Sequence, residues 1–276
     1  MSSATKSITA FLLSVACTGM LYGASLRVCA DPNNLPFSNN QQQGFENQIA
    51  GLIAKDLDMQ LTYFWFPQRG AFFRRTLNAG VCDVVMGVPS GFDEAAATRP
   101  YYRSTYVLIT RHDRNLHIGS LDDPRLRTLK IGVHVLGEED DSLPPVHALI
   151  RRGIVHNLVG FSIFGNLNEK DPPADLIKAV QDGKVDVAIA WGPLAGYFSR
   201  HSPVSLDITP LADDPANPQL PFHFDIGIGV RERDTALKKA LDDELTRRHN
   251  EIEQILQQFG VPQLPLTSQT ARSSED

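Results

Sequence analysis

Cysteine, positive charge and long apolar runs are all scarce in this chain of 276 residues. Its three cysteines and eight histidines are scattered, and none pairs with another at metal-ligand spacing, so no zinc site is expected. A net charge of −6 lacks the basic stripe that nucleic acid requires, although a basic protein partner stays compatible. Neither a nucleophile elbow nor a phosphate-binding loop occurs, so nothing calls for a cofactor. Hydrophobic residues at 42% and charged residues at 21% are ordinary for a globular protein of one or two domains.

The one apolar stretch of note lies at the N-terminus. Phe11-Leu12-Leu13-Ser14-Val15-Ala16-Cys17 runs on to Met20-Leu21-Tyr22, with Lys6 the only charge before Arg27. It is too short to span a membrane and has the length of a secretory signal. Gly23-Ala24-Ser25 offers small residues for cleavage, which makes residues 1–25 a signal peptide and Leu26 the expected mature start. Cys17 gives a lipid-anchored alternative, although Ser14 stands where such signals carry Leu or Val. The mature chain is expected to be soluble, exported and without a membrane span. Cleavage leaves Cys29 and Cys82. An oxidising compartment permits a bond between them. Against it, two parallel strands in register would set these residues at opposite ends, beyond the ~7 Å Cα limit. Both outcomes stay open at this stage.

What is present is a repeat. Residues 76–88, TLNAGVCDVVMGV, align without gaps on residues 179–191, AVQDGKVDVAIAW, 103 positions later. Each copy reads as a helix end, a Gly stop, an Asp and a short apolar run. Gly suits the left-handed cap of a helix, and an unalternating apolar run suits a parallel strand covered on both faces. Two similar α/β lobes with a cleft between them would explain the repetition.

The rest of the chain fits. Strands are expected at residues 26–30, 61–66, 83–88, 129–133, 158–164 and 185–190. Helices are expected over residues 45–57, around Phe73 and Leu77, over 145–152 and 174–181, and as one long element from Leu237 to Phe259. Apolar runs at 106–110 and 224–230 are the two crossings between lobes. This places lobe 1 at residues 26–110 plus 226–265, lobe 2 at 111–225, and an expected disordered polar tail at 266–276. Ligands of such sheets meet the loops at the carboxyl ends of strands, here residues 31–39, 67–70, 87–91, 101–103, 134–137 and 191–197. Two crossings permit hinge closure around a ligand.

Leu26-Arg27-Val28, Asp31-Pro32-Asn33, Pro36-Phe37-Ser38, Gly44-Phe45-Glu46, Leu77-Asn78-Ala79-Gly80, Asp83 and Pro100-Tyr101-Tyr102 resemble the type II periplasmic solute-binding proteins. The resemblance covers nearly all of the mature chain. It implies a two-lobe type II periplasmic binding protein fold of the α/β class with two interlobe crossings. The run from Cys29 to Ser38, with Trp65-Phe66-Pro67-Gln68-Arg69, Cys82 to Pro89 and Thr98 to Ser104, is similar to one branch. That branch is the quinoprotein-dehydrogenase-associated J proteins of methanol oxidation. The likeness implies a periplasmic accessory of a pyrroloquinoline-quinone (PQQ) methanol dehydrogenase, calcium- or lanthanide-dependent with a lean to the latter, and of its cytochrome c.

Amino-acid binders of this fold carry an Arg after the third strand to clamp the ligand carboxylate. Here that region reads Ser90-Gly91-Phe92-Asp93-Glu94, and Glu94 would repel it. The Asp that would hold the ligand ammonium is replaced by Trp191. A free amino acid is therefore not the expected ligand. Cleft candidates are Asp31, Phe37, Gln68, Arg69, Pro89, Tyr101, Tyr102, Arg103, His134, Trp191 and Tyr197. Phe37, Tyr101, Tyr102 and Trp191 would make an apolar lining, unless the tyrosines pack the lobe core. Arg69 and Arg103 would hold an anion or a partner carboxylate, or lie on the surface. Asp31 would meet a ligand or cap its own turn. Glu138-Glu139-Asp140-Asp141 lacks the spacing of a calcium loop and reads as a solvated run. The expected function is an interaction protein. A receptor for a small non-amino-acid molecule is the alternative, and an enzyme using Asp31 and Glu94 ranks third.

Overall fold

The computed structural model describes residues 24–135, 143–164 and 171–266. Most of the expected signal peptide, the acidic run at 138–141 and the tail beyond residue 266 lie outside the described residues. In chain order the strands and helices are β1 (Ser25–Ala30), β2 (Asn33–Asn34), β3 (Ser38–Asn39), α1 (Phe45–Asp56), β4 (Gln60–Trp65), α2 (Phe72–Arg75), β5 (Val84–Pro89), β6 (Ala96–Ala97) and β7 (Tyr102–Arg111). There follow β8 (Ile131–Val135), α3 (Pro144–Arg151), β9 (Leu158–Ser162), α4 (Asp175–Gln181), β10 (Val187–Trp191), α5 (Gly192–Arg200), β11 (Leu206–Pro210), β12 (His223–Val230), α6 (Thr235–Arg247) and α7 (His249–Gln258).

The main sheet runs β4-β1-β5-β12-β7-β10-β8-β9, with β11 on β7 and β6 on β12. Two parallel groups, β4-β1-β5 and β10-β8-β9, are joined by antiparallel strands. The join is β7. Its residues 102–105 pair with β12, and its residues 106–110 pair with β10. One continuous strand thus leaves one lobe and enters the other, and β12 returns beside it.

Each lobe has its own apolar interior. In the first, Leu26, Val28 and Val84 meet Phe45, Ile49 and Ile53 of α1 and Leu241, Ile252 and Leu256 of α6 and α7, all nearly fully buried. In the second, Ile131, Leu149 and Ile189 fill one face of the sheet, and Ile109, Leu176, Val180 and Leu194 fill the other. Burying each such side chain contributes about 1.5–3 kcal/mol. Strands covered on both faces read as continuous apolar runs, which is why β5 and β10 stand out in the sequence.

The two copies of the repeat adopt one conformation. Val81 N donates to Thr76 O and Gly80 N to Leu77 O; Lys184 N donates to Ala179 O and Gly183 N to Val180 O. This is a Schellman cap in each case, with Gly80 and Gly183 at φ of 77° and 68°. Each Asp then brackets the neighbouring strand. Asp83 N donates to Arg27 O at 2.8 Å while its carboxylate accepts from Arg27 N, and Asp186 repeats both contacts with Lys130.

Three expectations are corrected. Residues 191–197 are not a loop: only Trp191 precedes α5, and Pro193 near the helix start fits because no partner for its missing N–H is needed there. The long C-terminal helix is two, broken at Arg248, whose guanidinium pairs with Asp56 at the end of α1 and with Glu251. The helix around Phe73 ends at Arg75, so Leu77 lies in the turn beyond it. The pairing of Cys29 and Cys82, open from the sequence, is settled: the two are bonded, with Cα atoms 5.6 Å apart. The objection from register fails because Cys82 precedes β5 and sits in the buried cluster of Phe72, Phe73 and Leu77 on the face of the sheet, not in the strand ladder.

Candidate functional site: an aromatic cleft with a buried carboxylate

A cavity of about 470 Å³ lies at the carboxyl ends of β1, β5, β8 and β10, between the lobes. Phe37, Glu46, Gln68, Met86, Gly87 and Pro89 line it from the first lobe, and His134, Leu143, Phe164, Trp191 and Leu194 from the second. The crossing strands supply Tyr102, Tyr106, Phe224 and Ile226. No Lys or Arg is among the described lining residues.

Asp31 organises the near wall without entering it. It is buried, and its two carboxylate oxygens accept from Asn33 N at 2.8 Å and from Gln68 N at 2.7 Å. It therefore caps its own turn and ties that turn to the loop carrying Gln68, whose Oε1 lies 3.5 Å from Asn34 Nδ2. The N–H groups where α1 begins are likewise used locally: Gly44 N donates to Asn47 Oδ1, Phe45 N to Pro36 O and Glu46 N to Phe37 O. These three donors, which an anion at a helix start would need, are already taken.

Glu46 is the one carboxylate among the described lining residues. It is only 8% exposed, and burial pushes its carboxyl up to about 8. It rests on Gly87, which has φ of 74° and where a Cβ would stand 2.3 Å from Glu46 Oε1. Opposite, His134 is buried with Nε2 3.2 Å from Pro173 O; burial pushes its imidazole down to about 4, so the ring is neutral near pH 7 and donates to that carbonyl. Trp191 meets Tyr106 and Phe224 edge to face, at centroid separations of 5.3 and 5.8 Å. Burial, with Glu46 adding to it, holds the Tyr102 phenol un-ionised.

Of the sequence candidates, Phe37, Gln68, Pro89, Tyr102, His134 and Trp191 come together here. Asp31, Arg69, Tyr101, Arg103 and Tyr197 do not line the cavity. Arg69 places its guanidinium 5.4 Å from the centre of the Phe164 ring, a cation–π contact from one lobe to the other. Arg103 faces Asp225 directly across β7 and β12 and binds it through two hydrogen bonds of 2.6 Å, so it fastens the crossing strands. Tyr101 is buried behind Tyr102. Tyr197 stacks on Phe259 beyond α7. Glu94 is exposed and away from the cavity, so the carboxylate that opposes an anionic ligand is Glu46. Glu46 had a signal in the sequence: it falls three and seven positions before Ile49 and Ile53, on the buried stripe of α1. Tyr106 and Phe224 had none, because an aromatic at a strand end reads the same in a core as in a cleft.

The profile of the bacterial extracellular solute-binding proteins, family 3, matches residues 26–262. The chain belongs to this family. Within it, the chain is 33% identical to protein MoxJ of Methylorubrum extorquens over 250 residues, which is 88% of this chain and 83% of that protein. MoxJ of Paracoccus denitrificans is 27% identical, with 92% and 94% covered. The crystal structure of the periplasmic binding protein XoxJ from Methylobacterium extorquens AM1 superposes with a TM-score of 0.72 at 34% identity, covering 87% of this chain and all of that one. MxaJ from Methlophaga aminisulfidivorans MPT superposes at 0.74 with 28% identity, 87% of this chain and again the whole of the other. The chain is thus a solute-binding-like protein whose relatives are of the MoxJ, XoxJ and MxaJ type. No described helix is long and apolar enough to cross a membrane. Among the described residues, no group of three or more His, Cys, Asp and Glu side chains is placed to hold a metal ion.

Proposed function

We propose that this protein is a periplasmic accessory of a PQQ-dependent methanol dehydrogenase, acting in its maturation or activation through the cleft or its rim. The observation that carries the reading is a cleft with no cationic clamp among its described lining residues, in a chain that resembles the J proteins over almost its full length. A nutrient receptor for amino acids needs a partner for the ligand carboxylate, and the described lining supplies only Glu46 and neutral groups. Residues 26–110 with 226–265, and residues 111–225, are read as the two bodies that move about the crossing strands, with the first boundary falling inside β7, whose residues 106–110 already pair with β10 of the second body. The test is co-purification of the mature protein with the dehydrogenase of the same organism, with and without metal and quinone. Association that varies with loading supports the role. No association, together with normal enzyme maturation in a deletion strain, overturns it.

The size of the cavity favours a second reading. About 470 Å³ is ample for a small molecule, which fits a transport receptor for a non-amino-acid metabolite. A saturable rise in melting temperature with one metabolite, and no association with the dehydrogenase, would favour that receptor.

A further inference from the structure

We propose that the cleft takes an organic cation, an ammonium or amidinium group on an apolar body, with Glu46 as its counter-ion and the surrounding aromatic rings as its walls. This rests on the reading above that the cleft engages a ligand or partner, and it names the chemistry engaged.

Three observations lead to it. First, Glu46 is more than nine-tenths buried, lines the cavity and takes no side-chain hydrogen bond from any described residue. Buried carboxylates are ordinarily paired, because an unpaired one forfeits its hydration. Second, the fold makes room for it. Gly87 holds a left-handed conformation directly beneath Oε1, at a position where any side chain would displace the carboxylate. Third, the remaining described lining suits a cation and offers an anion nothing. Tyr102, Tyr106, Trp191 and Phe224 present rings, no Lys or Arg is among the described lining residues, and the N–H groups of Gly44, Phe45 and Glu46 are taken. The negative faces of aromatic rings attract a cation, and most strongly one stripped of water.

The groups that bear on the charge of Glu46 come from every element around it. Tyr63 of β4, Tyr101 just before β7 and Tyr102 within it are held un-ionised by burial, and His134 of β8, on the opposite wall, is neutral above about pH 4. None supplies a positive charge near neutrality. With burial holding its carboxyl up to about 8, Glu46 is protonated before the cation arrives. Binding ionises it and releases a proton.

The cation could belong to a free amine or to a lysine of a protein partner; the chemistry is shared and the test separates the sources. Calorimetric titration of the mature protein would use phenethylammonium and benzamidinium, with phenethyl alcohol and benzamide as neutral counterparts. The cations should bind at least tenfold more tightly than their neutral counterparts. Their affinity should rise roughly tenfold per pH unit towards pH ~8 and then level off, since only the ionised form is competent. Heats in buffers of different ionisation enthalpy should report a proton released. Glu46→Gln should remove the preference, the slope and the proton, while retained binding of the neutral counterparts would show the pocket intact. Equal affinity for both probe types, an unchanged Glu46→Gln variant, or no binding of either cation overturns the proposal. Association with the dehydrogenase is scored separately, so failure here leaves that reading standing. If acetylating the dehydrogenase lysines abolishes association, and phenethylammonium competes with the unmodified enzyme, the cation is the partner's. If association ignores both, it is a solute.

Discussion

The two copies of the helix-to-strand unit share everything that builds a lobe and differ in what they present to the cleft. Gly80 and Gly183 close the same cap, and Asp83 and Asp186 bracket the same point of a neighbouring strand. The copies part at two places. Cys82, bonded to Cys29, stands where the second copy has Val185, and both residues are buried. At the strand exit, Gly87 and Val88 align with Ala190 and Trp191. The first lobe leaves room there for a carboxylate, and the second inserts an indole. The scaffold is set by the shared positions; the chemistry of the cleft is set by the last two.

The largest expected effect breaks the first difference. The disulfide closes a loop with a sequence separation of 53, for which chain entropy gives about 4 kcal/mol. The Cys29→Ala/Cys82→Val variant imports the residue of the second copy and should lose about 2–5 kcal/mol in urea unfolding. A loss under about 1 kcal/mol would mean that Val packing alone serves both lobes equally.

The second effect contrasts the two cleft walls by pH. Glu46 has its folded pKa raised from 4.5 to about 8, so the folded state holds its proton more firmly. Stability should therefore fall as pH rises from 4.5 to about 8, by roughly 2–4 kcal/mol after allowance for water in the cavity. His134 runs the other way. Its folded pKa is depressed from 6.5 to about 4, so its contribution is lost as pH falls through that window. Glu46→Gln should raise the melting temperature above pH ~8 and leave it unchanged below ~4.5. His134→Gln should flatten the acid side only. Matching profiles for the two variants would remove the contrast.

How much of this was open to a reader of the sequence depended on whether local pattern and environment agreed. For β1, β5, β12 and α1 they agreed, since apolar period and burial coincide there. The two-lobe layout followed from the repeat. Residues 191–197 read as a loop, yet Gly192 and Pro193 open α5, because a proline near a helix start costs no hydrogen bond. The apolar positions of α6 and α7 keep phase through the interruption, since Leu245 and Ile252 are seven apart, so periodicity could not reveal the break at Arg248. Arg69 and Arg103 looked like anion ligands because type and position are visible in a sequence, whereas their partners, Phe164 and Asp225, lie in distant segments. Glu46 was visible as a charge on an apolar stripe, but the lack of Lys and Arg among the described residues that line its cleft is a property of the fold alone.

A third effect asks whether the bracketing aspartates are equivalent. Asp83 also binds the Arg27 and Arg231 guanidinium groups, the latter 13% exposed. Asp186 pairs with the more exposed Arg114, at 39%. Asp83→Asn should cost about 2 kcal/mol and Asp186→Asn about 1 kcal/mol by chemical denaturation. Equal costs would show that the shared backbone bracket, not the arginines, carries both.

The smallest effect tests the shared scaffold itself. Gly80 and Gly183 face open space: no atom lies within 4 Å of where a Cβ would stand on either residue. Replacing them cannot create a clash, so the only cost is the left-handed backbone itself. Gly80→Ala and Gly183→Ala should each destabilise by about 1 kcal/mol, and each Asn variant by less, since Asn tolerates that conformation. Equality is the informative outcome. The disulfide lies beside the first cap and not the second, so a smaller cost at Gly80 would mean that the covalent link, not the cap, holds the turn into β5. Equal costs would mean that the cap does the same work in both lobes, and that divergence of the cleft has been confined to the residues at the far end of each strand.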